Sequence, residues 1–197
     1  MLAVVWLLGF FAHASAQIRG QGVCPQPNPI PNFDEKRLIG RWFEWAHIEN
    51  VYQRDQSCEI TTYYRNSDRE IVKRVNSLIQ SSGTWIFWEG KMIPRGESPT
   101  AQYLMKFPEY SGDIGINSTF VAANWKHWVI LHGCKEETNQ SSQFVWVWSK
   151  KSTLKSKYRK QIAEALEQIN LPMRNLRRIN QKNCANHRIL DPTPTCR

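Results

Sequence analysis

Residues 144–148 read Phe144-Val145-Trp146-Val147-Trp148. Alternation of this kind marks a β-strand, because successive side chains point to opposite faces of the pleat. One face here is wholly aromatic and the other is valine, so the strand has apolar neighbours on both sides. The sequence that follows supplies one neighbour. Leu154, Tyr158, Ile162, Leu166 and Ile169 recur at spacings of four and three, which predicts an amphipathic helix begun near Ser152-Thr153 and ended near Pro172. The valines are assigned to that helix, which leaves Phe144, Trp146 and Trp148 facing an interior.

Working back toward the N-terminus, strand-like runs recur at 40–49, 58–65, 70–80, 84–93, 101–107, 118–124 and 128–135, with 143–150 as the eighth. Such a series joined by turn-like segments predicts a closed antiparallel barrel or a sandwich. An eight-stranded barrel encloses room for side chains or for one small ligand. The chain has 197 residues, 41% hydrophobic and 22% charged, which describes one globular domain and excludes a disordered or collagen-like chain. Nine Trp, six Tyr and eight Phe exceed what a core of this size needs, so part of the aromatic surface is assigned to a ligand.

Leu2 to Ala12 is an apolar run, and Ala14-Ser15-Ala16 follows it as a small-x-small cleavage pattern. Residues 1–16 are read as a signal peptide and 17–197 as a single secreted domain. The run is too short to span a bilayer. A Pro-rich leader occupies 17–32. Cys24, Cys58, Cys134, Cys184 and Cys196 suit disulfides in an oxidising compartment; five is odd, and spacing alone leaves their connectivity open. No C-x-x-C or H-E-x-x-H occurs, so no metal is expected. Asn117-Ser118-Thr119 and Asn139-Gln140-Ser141 are glycosylation sequons in predicted loops.

No G-x-S-x-G, P-loop or dinucleotide fingerprint is present, so no enzyme and no cofactor are expected. The net charge of +9 draws on Lys150, Lys151, Lys155, Lys157, Arg159 and Lys160 at the helix start, while Glu164 and Glu167 lie towards its end. That order opposes the helix dipole. With Arg174, Arg177, Arg178 and Lys182 it describes a basic face suited to anionic membrane or polysaccharide. Nucleic acid is excluded as a partner by the secreted location.

Asn32-Phe33-Asp34, followed by Gly40-Arg41-Trp42, resembles the N-F-D and G-x-W signature of the lipocalin family. Cys24-Pro25-x-Pro27 upstream and Ile48-Glu49-Asn50-x-Tyr52-Gln53 downstream are similar to the apolipoprotein D branch, which includes crustacyanin subunits and bilin-binding proteins. The resemblance implies an all-β fold: an eight-stranded antiparallel up-and-down barrel with one C-terminal α-helix packed outside. Two signatures depart from the pattern. Ala123-Asn124-Trp125 stands where T-D-Y is usual, and Lys150 stands where an Arg normally covers the signature Trp.

The same resemblance implies disulfides Cys24–Cys134 and Cys58–Cys184, with Cys196 unpaired. It leaves no free Cys58 to act as the nucleophile of lipocalin-like prostaglandin synthases, and the further cysteine pair of crustacyanin-like relatives is absent. Gly40, Trp42 and Lys150 are implied to close one end of the barrel, with Trp148 packing near them. Strand parity combined with the resemblance places Tyr63, Asn76, Phe107 and Trp146 on the lumen wall, and puts both sequon loops at the open mouth. The function implied is a secreted carrier or scavenger of a small hydrophobic ligand (lipid, steroid, bilin or carotenoid). The alternative is an extracellular interaction protein that works through its basic face.

Overall fold

The computed structural model describes residues 18–97, 99–108 and 114–184. The signal-peptide expectation, the start of the mature domain and the fate of Cys196 lie outside those residues. In chain order the elements are β1 (Ile18–Gln21), α1 (Glu35–Leu38), β2 (Gly40–Ile48), β3 (Gln56–Arg65), β4 (Ile71–Ile79), β5 (Thr84–Pro94), β6 (Gln102–Phe107), β7 (Ile114–Asn124), β8 (Trp128–Glu137), β9 (Gln140–Ser149), α2 (Ser156–Glu167) and β10 (Leu176–Arg178). Strands β2 to β9 pair each with the next, and β9 pairs back onto β2. The result is a closed eight-stranded antiparallel barrel, which removes the free edges an open sheet would expose. β1 adds to β9 and β10 adds to β2 beyond the closure.

The two faces of residues 144–148 go where the alternation puts them. Phe144, Trp146 and Trp148 join an interior cluster with Trp42, Tyr63, Phe107 and Phe120. Val145 and Val147 join an outer cluster with Tyr158, Ile162 and Leu166 of α2. α2 begins later than its spacing suggests. Ser152 and Thr153 lie in a bend, and Leu154 packs in the outer cluster before the helix starts. Lys155 at the N-cap is extended and caps with no side-chain hydrogen bond. Burial of Leu154 therefore fixes the chain ahead of the helix, and the local Ser-Thr signal is overridden.

One end of the barrel is shut. The Trp42 indole is fully buried and donates from Nε1 to the Leu38 carbonyl of α1 at 2.7 Å. Gly40 just before it has φ +107°, a conformation that costs a side chain dearly and glycine little. Lys150 lies over the Trp42 ring with Nζ 3.5 Å from its centroid, a cation–π contact in place of a planar guanidinium stack. Trp125 meets Phe33 edge-on at 5.6 Å, so an indole fills the place of the usual tyrosine. Disulfides join Cys24 to Cys134 and Cys58 to Cys184.

Asn139 sits in the exposed turn between β8 and β9 with φ +60°, where Asn is tolerated. Asn117 corrects the loop expectation. It lies within β7, paired across to Leu104 and Cys134, because that ladder runs on to Ile114, four residues before the run visible in sequence. No helix among the described residues is long and apolar enough to cross a membrane.

Candidate ligand site

The inward aromatics of β9 stack in file. Phe144 and Trp146 are 5.6 Å apart with planes 7° from parallel, and Trp146 and Trp148 are 6.3 Å apart at 2°. Trp146 reaches across β8 because Gly133 stands there: a Cβ at that glycine would come within 2.9 Å of the indole. In front of this wall lies a cavity lined by Tyr52, Gln53, Lys73, Trp88, Met105, Phe107, Ile116, Ser118, Leu131 and Trp146. Its walls are apolar apart from Gln53, Lys73 and Ser118. Few polar groups in an apolar enclosure is the usual composition of a small-molecule site.

Of the four lumen residues expected, Phe107 and Trp146 line this cavity. Tyr63 is inside the barrel but below the cavity: it pairs with Gly40 and meets Phe120 and Trp148 edge-on at 6.4 and 6.0 Å. It belongs to the plug. Burial first, and then the Glu44 charge, push its phenol well above the ordinary tyrosine range. Asn76 is a correction. The β4–β5 register is unbroken and pairs Val75 with Trp88 inside, so Asn76 pairs with Phe87, which is 55% exposed on the outer surface. A slip of one residue exchanges the faces of a strand, and the inward residues of β4 include Ile71, Lys73 and Val75.

Beside the cavity lies a buried polar cluster that sequence reading did not anticipate. Gln53 dips in from the single turn Val51–Gln53 after β2. Its amide nitrogen donates to Glu44 Oε1 at 3.0 Å and to Glu59 Oε2, and its carbonyl accepts from Trp146 Nε1 at 2.7 Å and Asn50 Nδ2 at 2.9 Å. His47 Nδ1 lies 2.6 Å from Glu44 Oε1, and Trp148 Nε1 donates to Glu44 Oε2 at 3.2 Å. Burial, reinforced by the Glu44 charge, pushes the Glu59 carboxyl well above the usual carboxylate range. Glu59 Oε1 and His47 Nε2 have no hydrogen-bond partner.

Lys73 is the cation of the group. Its Nζ stands over the rings of Trp148, Trp146 and Phe107 at 4.8, 5.0 and 5.6 Å. Burial brings its ammonium down to about 8, while Glu44 and Glu59 hold it from falling further. Glu44, His47 and Glu59 are of metal-ligating type, with atoms within 4.8 Å of one another. Gln53 and the Glu44–His47 contact satisfy part of this group, and Glu59 Oε1 and His47 Nε2 are left without a hydrogen-bond partner among the described residues.

Residues 33–181 match the family model of the lipocalin-like domain. The chain is a lipocalin. It is 29% identical over 151 residues to a bilin-binding protein of Pieris brassicae, covering 75% of this chain and 78% of the relative. It is 22% identical over 185 residues to apolipoprotein D of Macaca fascicularis, covering 93% and 96%. Among solved structures, insecticyanin of Manduca sexta superposes with a TM-score of 0.74 at 18% identity, over 86% of this lipocalin and 92% of that chain. These place it in the apolipoprotein D-like branch, together with a relative named as a bilin-binding protein.

One further lumen group of this lipocalin carries a signal in the sequence. Ile71, Lys73 and Val75 share one parity on β4, with Lys73 set among apolar neighbours. Gln53 carries none beyond its place in the motif that resembles the apolipoprotein D branch. Its inward turn depends on a loop path that no periodicity reveals.

Proposed function

We propose that this lipocalin is a secreted carrier or scavenger of a small hydrophobic molecule held in the cavity against Trp146. The observation that supports it most is the enclosure itself, walled by Trp88, Met105, Phe107, Ile116, Leu131 and Trp146. The names of its relatives agree, since one is a bilin-binding protein. Affinity arises from apolar burial at about 25 cal/mol per Å², with Gln53, Lys73 and Ser118 as the polar groups within reach.

The basic-face alternative has less to draw on. Lys150 is folded over Trp42, Arg178 lies 3.9 Å from the centroid of Trp45, and Lys160 and Arg177 are paired with Glu164 and Glu49. Titration of the delipidated protein with fatty acids, steroids and tetrapyrroles, followed by Trp emission, tests the carrier reading. Trp146→Ala removes one wall and is expected to weaken binding by about 2 kcal/mol, in the range of a good hot spot. Unchanged affinity in a folded Trp146→Ala protein would place the site elsewhere, and no binding by the parent would end the carrier reading.

A further inference from the structure

We propose that Lys73 is a covalent anchor, whose amine takes a hydrophobic aldehyde entering the lumen and holds it as a reversible Schiff base. The inference rests on the carrier reading and names the ligand class of the same cavity. Lys73 is 3% exposed and lines the cavity. Among the described residues its Nζ faces three aromatic rings and makes no hydrogen bond. An ammonium has three donors to satisfy, so this amine is placed to meet an acceptor brought by a ligand.

Charge decides which acceptor. Glu44 and Glu59 already act on the lysine as its counter-charges. A ligand carboxylate would add a third acid to a closed lumen, where unbalanced charge is expensive. A ligand amine would compete with the cation already there. A neutral carbonyl alters no charge, and the protonated imine it forms keeps the single positive charge that the ammonium presents to Glu44 and Glu59.

The chemistry needs nothing further. The neutral amine adds through its lone pair to the carbonyl carbon, and its proton passes to the oxygen. The hydroxyl of the resulting carbinolamine then takes a proton, in balance with the one the ammonium gave up to become the neutral amine, and leaves as water, so ammonium and aldehyde become protonated imine and water. Burial among apolar rings favours the neutral amine that begins this sequence. Water returning to the lumen reverses it and frees the ligand.

The test uses the intact protein with hexanal and cyanoborohydride at neutral pH, followed by peptide mapping. Lys73 is expected to be alkylated about tenfold or more faster than the exposed Lys151, given the larger neutral fraction of an amine at about 8 than at the usual lysine value. Hexan-1-ol, which cannot form an imine, should perturb Trp emission and slow labelling of Lys73 but not of Lys151. Lys73→Arg keeps the charge and is expected to lose the lumen adduct, while Lys151 is labelled as in the parent. If hexan-1-ol binds while Lys73 is labelled no faster than Lys151, the anchor is refuted and the carrier stands. If neither compound perturbs Trp emission and Lys73 stays unlabelled, the carrier reading falls and the anchor falls with it.

Discussion

Trp42 and Lys73 both lie inside the barrel and respond to opposite experiments. Trp42 has 0% exposure and a satisfied indole; Trp42→Ala opens a cavity at the shut end and is expected to cost about 3–5 kcal/mol in denaturant unfolding. Lys73 instead makes stability depend on pH. Its ammonium titrates near 8 when folded and at 10.5 when free. Between those values the unfolded chain holds a proton that the folded chain has released, so stability rises with pH across that window. Lys150 is also brought down to about 8 by burial, so the parent's rise contains both. Lys73→Met should retain only the Lys150 part; an identical rise in parent and variant would show that Lys73 is not held near 8. Trp146 was legible in the sequence because alternation along 144–148 turns it inward, and Phe107 because strand parity combined with the family resemblance places it on the lumen wall. Asn76 was misplaced by one position, and a single residue of parity separates a lumen group from a surface one.

At the scale of elements, an irregularity in β2 brings His47 into the polar cluster. The β2–β9 register shifts between Glu44 and Ala46. Trp45 and Ala46 then both face α2, and Glu44 and His47 both face the lumen. A bulge re-aims side chains in this way. A second shift in β3 lies between Ser57 and Ile60, where Cys58 has φ +54°, and Glu59 keeps the inward parity of Tyr63. Strict alternation from Trp42 would have sent His47 outward, so its place in the cluster was not legible, whereas Glu44 and Glu59 share the inward parity of Trp42 and Tyr63. The helix was legible for a related reason: α2 has no bulge, and its stripe of Tyr158, Ile162 and Leu166 is fully used. Ile162→Ala should cost about 2–5 kcal/mol. Because Ile162 packs in the outer cluster, the ligand titration midpoint should not move; a shift of several-fold would mean that outer packing sets the cavity.

Across the whole molecule, the two disulfides hold ends that the barrel alone would leave loose. Cys24–Cys134 ties the leader to β8, and Cys58–Cys184 ties β3 to the segment after β10, at separations of 110 and 126 residues. In the chain-entropy model each loop is worth about 4–5 kcal/mol. The loops overlap, so either bridge shortens the path that the other must close. With Cys24–Cys134 intact, the route between Cys58 and Cys184 contracts by a factor of about 1.5, which lowers the entropy of closure by only about 0.4 kcal/mol. Replacing one pair by serine, then the other, then both, should therefore give nearly additive losses in denaturant unfolding, with the double replacement costing slightly more than the two single ones together. A coupling well above 1 kcal/mol would overturn the unfolded-chain account and show that the bridges hold each other's native geometry. Non-reducing peptide mapping of the parent is the accompanying control, and a Cys184–Cys196 bridge found there would replace the pairing on which the whole argument stands.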